Sequence, residues 1–123
     1  MQNEMLIVIV VIAGAVLVMW LLKRLVQVSA GEAKQLLKSG ARVIDVRSRA
    51  EFNAGRVKGA VNVPLDELPA RIGSVAPDKQ APLLLHCLSG TRSAMARSSL
   101  RRLGYARVYN LGSLGRARRI VES

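Results

Sequence analysis

The chain has 123 residues, room for one domain and little more, and its 19 Lys and Arg against 8 Asp and Glu give a formal net charge of +11. That balance suits anionic partners: acidic lipid headgroups, small anions or nucleic acid. Aromatic residues are only 3% and the bases are scattered, so the stacking platforms of a single-strand binder are missing and no nucleic-acid partner is expected.

The first segment is "MLIVIVVIAGAVLVMWLL", Met5 to Leu22, eighteen residues without a charge. As a helix it is ~27 Å long at ~1.5 Å per residue, close to the ~30 Å hydrocarbon thickness of a bilayer. Trp20 lies near one end, where an amphipathic ring suits the headgroup level. A cleaved signal peptide is the rival, because "VSA" at Val28 to Ala30 resembles a cleavage site. The leader "MQNE" carries Glu4 and no base, however, and the first cations, Lys23 and Arg24, follow the apolar run. That order predicts an uncleaved single-pass anchor over residues 1–24, in contact with the bilayer through residues 5–22, and a separate domain over residues 25–123. The positive-inside rule puts the N-terminus outside and the domain in the cytoplasm, with a bacterial inner membrane as the expected location. Ala13, Gly14 and Ala15 form only a weak signal for helix pairing.

Beyond the anchor, "SAGEAKQLLKSG" predicts a helix, with Ser29 and Glu32 at capping-box spacing and Gly40 as the stop. "RVIDV" is a short buried strand, "AEFNAGRV" a helical turn ending at Gly55, and "AVNVP" a strand closed by Pro64. "LDELPARIGSV" is a helix interrupted early by Pro69, and "APLLLHC" a buried strand. "SAMARSSLRRLGY" has helical spacing at Ala94, Ala96, Leu100 and Leu103 and ends at Gly104; "RVYNL" is a last strand before a basic tail, "GRARRIVES". Alternation of this kind predicts an α/β fold, a mainly parallel sheet with helices on both faces. Ligands in such sheets bind beyond the carboxyl ends of the strands. The sole cysteine, Cys87, falls at one of those ends.

A single cysteine excludes an intrachain disulfide and suits a reducing compartment. With His86 the only histidine, the chain has too few soft ligands for a structural zinc site, and no metal or organic cofactor is expected. The order strand, "CLSGTR", helix places the thiol where a helix N-terminus and an arginine lower its ionisation point from the ordinary value of about 8.5. Gly90 permits a tight turn whose N–H groups point inward. Thr91 and Ser93 suit a helix start and offer hydroxyl hydrogen bonds. Arg92 supplies a fixed positive charge for an anionic substrate or leaving group. Together these residues describe an activated sulfur nucleophile in an electropositive cup; the plainer alternative is a small buried cysteine at a strand end.

The loop "CLSGTRS" resembles the C-x-x-G-x-R-S active-site loop of rhodanese-like domains. "IDVRSRAEFNAGRVKGAVNVP", Ile44 to Pro64, is similar to that family's Asp-Val-Arg and Glu-Phe stretch followed by Gly-Ala-x-Asn-x-Pro, and "VYNLGSLG" resembles its closing strand and turn. The resemblance covers about residues 28 to 115. It implies a small α/β domain in which Cys87 takes sulfane sulfur from a small anionic donor, such as thiosulfate or a persulfide. The sulfur then passes to a thiol or protein acceptor. Carried over by position, Cys87 and Arg92 are the catalytic pair. Leu88, Ser89, Gly90, Thr91 and Ser93 form the substrate-binding loop, and Asp45, Arg47 and Glu51 support it. Asp45 and Arg47 look like the family's supporting pair, with Arg47 expected to be tied to Glu51; the four-residue spacing also fits a plain helical ion pair. Cysteine phosphatases of related fold carry one residue more between cysteine and arginine, so the shorter loop favours attack on sulfur over phosphate or arsenate.

Two departures stand out: Gly55-Arg56 where the family often has Gly-His, and "GRARRIVES" in place of a more apolar, tryptophan-bearing closing segment. With no second cysteine, a persulfide can be discharged only by an outside acceptor. Arg97, Arg101 and Arg102, with Arg116, Arg118 and Arg119 near the end, read either as a solvated basic face or as an attraction to anionic lipid worth ~1 kcal/mol per base. The rivals to a membrane-anchored sulfurtransferase are a non-catalytic module tethering a partner at the membrane and, less favoured, a phosphatase or arsenate reductase.

Overall fold

The computed structural model describes the backbone of residues 1–123 and the side chains of all but residues 23–25. Helix α1 (Gln2–Val26) contains the charge-free run and extends it by about a turn toward the C-terminus. It is the one helix among the described residues long and apolar enough to cross a membrane: Gln2–Leu22 has a mean hydropathy of 3.1 and is 0% buried. Its apolar side chains from Met5 to Leu22 stay largely exposed in the chain by itself.

The remaining elements follow in chain order: α2 (Ala30–Lys38), β1 (Arg42–Asp45), α3 (Arg49–Ala54), β2 (Val61–Asn62), a 3-10 turn (Leu65–Glu67), α4 (Leu68–Val75), β3 (Leu83–His86), α5 (Thr91–Arg102), β4 (Val108–Gly112) and α6 (Leu114–Val121). Their ends have local causes. Ser29 accepts the Glu32 N–H at 3.2 Å to start α2, and Ser48 and Glu51 close a reciprocal capping box on α3. Pro69 falls in the first turn of α4, where its missing N–H costs nothing.

The four strands form one parallel sheet in the order β2-β1-β3-β4. The pleat sorts its side chains to two cores. Ile44, Leu83, Leu85, Cys87 and Val108 face α4 and α5; Val43, Leu84 and Leu111 face α2 and α6. Apolar burial of this kind is worth about 1.5–3 kcal/mol for each large side chain.

The last nine residues are not a loose basic tail. They contain most of α6, which buries Ala117 and Ile120 against the second core while Arg118 and Arg119 stay exposed. The apolar stripe is carried by small and branched residues spaced between arginines, so a net-charge reading misses it. Two arginines of the expected basic face are structural instead. Arg97 Nε donates to Val108 O at 2.9 Å, and Arg116 donates to Leu111 O at 2.7 Å and Val28 O at 2.5 Å.

The last contact joins the segment after α1 to the domain. Gln27 bridges Asn110 on the free edge of β4, and the Val28 N–H donates to Asn110 O at 2.9 Å. The chain therefore passes from α1 to α2 along a sheet edge, which it covers.

Candidate active site

Cys87 is the first residue after β3, at the carboxyl end of a central strand. Its N–H donates to Gly112 O at 3.2 Å, and the Leu114 N–H donates to Leu88 O at 3.1 Å. The loop is thus held against the β4–α6 turn. An irregularity between β3 and β4 pairs Leu85 with Asn110 and His86 with Gly112, leaving Leu111 as an extra residue. That extra residue brings the Gly112 carbonyl opposite Cys87.

Gly90 has φ +100°, a left-handed conformation that glycine adopts without strain. It turns the chain so that its own N–H points back at Cys87 Sγ, 3.0 Å away. The Ser93 hydroxyl lies 3.5 Å from the same sulfur, 3.1 Å from Gly90 O and 2.7 Å from Asn110 Oδ1. Burial alone would push the thiol up. Hydrogen bonds from the Ser93 hydroxyl and from the Ser93, Gly90 and Ser89 N–H groups outweigh burial, and the Cys87 ionisation point is lowered from its usual value. Thiolate is the reactive form of cysteine, so this geometry prepares a nucleophile.

Arg92 stands at the rim, half-buried, and its partner is Glu51: Nη1 donates to Oε1 at 2.6 Å and Nη2 to Oε2 at 2.9 Å. Arg92, with help from Ser48, holds Glu51 down at about 2. The expected Arg47–Glu51 tie is therefore replaced. Arg47 turns inward to the buried Asp45 carboxylate, with Nη2 to Oδ2 at 2.7 Å and Nε within 3.0 Å of both oxygens. Its Nη2 also donates to Gly55 O at 2.7 Å, which fixes the end of α3. A spacing of four suits a helix, but Arg47 precedes α3 and the chain between is a cap, so the two side chains diverge. Asp45 and Arg47 set the position of α3, and α3 delivers Glu51 to Arg92.

Leu88, Ser89 and Thr91 are exposed and shape the loop through its backbone, whereas Ser93 is fully buried under the sulfur. Asn110 was not among the expected residues. Its Oδ1 accepts the Ser93 hydroxyl and, at 2.9 Å, the Gly112 N–H, and its Nδ2 donates to Gly90 O at 3.3 Å. The available signal was a lone amide inside the apolar strand "VYNLG". Asn62 acts similarly, donating from Nδ2 to Asp45 O and Arg47 O at 2.9 Å each. Arg56, the residue in place of the family's histidine, stacks over the Phe52 ring at 4.9 Å. His86 is buried on the other side of the sheet from the cup; its Nδ1 lies 3.2 Å from Cys87 O, while its Nε2, 3.7 Å from Asp45 Oδ2, has no hydrogen-bond partner.

A buried sulfur with an inward N–H and hydroxyl, below an arginine already paired with a carboxylate, can attack a sulfur atom and hold the product persulfide anion. Comparison with known proteins bears on the family. The rhodanese-like domain family model matches residues 29–114. The chain is 38% identical over 71 residues to thiosulfate sulfurtransferase PspE of Escherichia coli (strain K12), covering 58% of this chain and 68% of that protein. It is 36% identical over 96 residues to the thiosulfate:glutathione sulfurtransferase of Homo sapiens, covering 68% of this chain and 84% of that protein. Among the first bacterial relatives it spans from 55% to 68% of their length. A solved rhodanese with anions from E. coli superposes with a TM-score of 0.61 at 35% identity, over 63% of this chain and 91% of that one. With the family model lying over well more than half of its length, the chain belongs to the rhodanese-like domain family.

Proposed function

We propose that this protein is a sulfurtransferase held at a membrane by α1, with Cys87 as the sulfur carrier. The observation that carries the reading is the pair of donors on one buried sulfur: the Gly90 N–H at 3.0 Å and the Ser93 hydroxyl at 3.5 Å. The Cys87 thiolate attacks the outer sulfur of a donor such as thiosulfate. A new S–S bond forms, the donor's own S–S bond breaks, and sulfite departs with the bonding pair. The enzyme is left as a Cys87 persulfide anion. Arg92 has five N–H groups and commits two bonds to Glu51, which leaves donors to neutralise the leaving anion. An external thiolate then takes the outer sulfur and regenerates the Cys87 thiolate. With one cysteine in the chain, that acceptor is a small thiol or another protein.

For the anchor, the charge-free run in α1 is followed in sequence by Lys23 and Arg24, an order that supports a domain on the cytoplasmic side. The test uses the full chain in detergent, with and without Cys87→Ser, mixed with thiosulfate or glutathione persulfide. Intact-mass measurement should find one added sulfur that a thiol removes, on the Cys87 protein alone. No adduct from either donor on a folded chain would favour a tethering module, and hydrolysis of a phosphate ester dependent on Cys87 would favour a phosphatase.

A further inference from the structure

The folded part of the chain keeps its large apolar side chains inside, with few exceptions. Beyond α1, the exposed ones among the described residues are Leu88 at 54%, Met95 at 56% and Leu103 at 38%. Two of these three flank the sulfur site: Leu88 follows Cys87 directly, and Met95 lies one turn after Thr91 on α5. Beside them is a mainly apolar cavity of about 310 Å³. One wall is Met19, Leu22 and Val26 of α1; the other includes Ser89, Thr91 and Ala94.

That shared cavity fixes a depth. Met19 and Val26 are ~10 Å apart along the helix at ~1.5 Å per residue. The loop reaches the level of Met19 and Leu22, so the domain rises beside the end of α1 instead of hanging below it. The connection has little slack, because Val28 is held from both sides by Asn110 O at 2.9 Å and Arg116 Nη2 at 2.5 Å. On α5, Met95 and the exposed Arg102 lie on one stripe at helical spacing, an apolar group followed by a cation suited to a lipid phosphate.

Building on the anchor reading, we propose that the loop rim docks in the lipid headgroup layer. Leu88 and Met95 enter the bilayer surface beside α1, and phospholipid fills the cavity between α1 and the loop. The sulfur site therefore works at the surface of the membrane and not at the end of a tether in bulk water.

Depth-dependent fluorescence quenching tests this in the full chain reconstituted into phosphatidylcholine and phosphatidylglycerol vesicles. Trp20, the single tryptophan, is replaced by Phe, and one reporter is introduced by Met95→Trp. A control reporter is Gln80→Trp, at an exposed position before the opposite end of β3. Phospholipid brominated near the headgroup end of its chains should quench the Met95→Trp reporter at least two-fold and leave the control unchanged. Equal, weak quenching of both, in a chain that resists alkaline extraction, would overturn docking while leaving the anchor intact. Release of the chain by alkaline extraction would overturn the anchor, and docking with it.

Discussion

Replacing Ser93 by alanine isolates one of the two donors on the sulfur. The Ser93 hydroxyl has a single proton and three acceptors around it, at 3.5 Å on Cys87 Sγ, 3.1 Å on Gly90 O and 2.7 Å on Asn110 Oδ1. Ionising the thiol makes the sulfur the strongest of the three, so the proton turns toward it. A hydrogen bond to a charged group is worth ~1.5–3 kcal/mol. Here the bond is long and the donor is shared, which places the value at the low end. About 1.4 kcal/mol corresponds to one pH unit, so Ser93→Ala should raise the pH midpoint of thiolate formation by about one. The fold should survive, because Asn110 Oδ1 keeps the Gly112 N–H at 2.9 Å. Alkylation of Cys87 by iodoacetamide across a pH series reads the midpoint directly, since the chain has no other thiol. Below the midpoint the variant should react about ten-fold more slowly than the parent at the same pH. A folded variant whose midpoint does not move would show that the backbone N–H groups alone hold the thiolate.

Arg47→Met leaves the buried Asp45 carboxylate without its side-chain partner, a loss of about 3–5 kcal/mol. A fall in Tm of well over 10 °C by thermal melt is expected, given about 4–8 °C per kcal/mol for a domain near this size, and the Asp45→Leu/Arg47→Met double variant should recover part of it. His86 is lowered from its ordinary value by burial, which the Asp45 carboxylate only partly opposes. The unfolded chain therefore binds a proton before the folded one does. Stability should rise with pH up to about 6.5, and His86→Asn should flatten that slope in denaturant melts; an unchanged slope would place the proton uptake elsewhere. Glu51→Gln removes the carboxylate that orients Arg92. For a pair exposed by about a third, the effect on kcat/KM with thiosulfate should be five-fold or less. Because Glu51 sits at about 2, its contribution to stability is complete above pH ~4.5 and is lost only as pH falls through about 2.

The elements that position the site were legible because each is written locally. The run "APLLLHC" is a strand by its unbroken apolar character, Gly90 marks the turn, and the Ser29–Glu32 spacing starts a helix. Alternation of strands and helices was enough for a parallel sheet. Partner choice across the fold was not legible, and Glu51 illustrates why. In sequence its nearest cation at helical spacing is Arg47, but the cap at Ser48 turns the chain, and β1 and β3 lie side by side with Asp45 opposite His86. That register carries α3 over the start of α5, so the carboxylate meets an arginine forty-one positions away.

Asn110 was missed for a related reason: its importance depends on the register of β4 against β3, which sets Asn110 opposite Leu85 and which no local pattern encodes. In that register the Asn110 amide lies under the loop, and the extra residue that follows, Leu111, sets Gly112 opposite Cys87. A slip of one residue would turn Asn110 to the α2 and α6 side, since neighbouring strand residues point to opposite faces. Ser93 would then lose its 2.7 Å acceptor and the Gly90 carbonyl its amide donor. The chemistry of the cup thus rests on sheet register as much as on the loop sequence. Asn110→Leu tests that dependence, because it preserves size and strand preference while deleting both contacts and the acceptor of the Gly112 N–H. The expected result is a folded domain whose Cys87 alkylates with a higher pH midpoint than the parent. A parent-like midpoint would mean that Gly90 and Ser93 hold their geometry without Asn110.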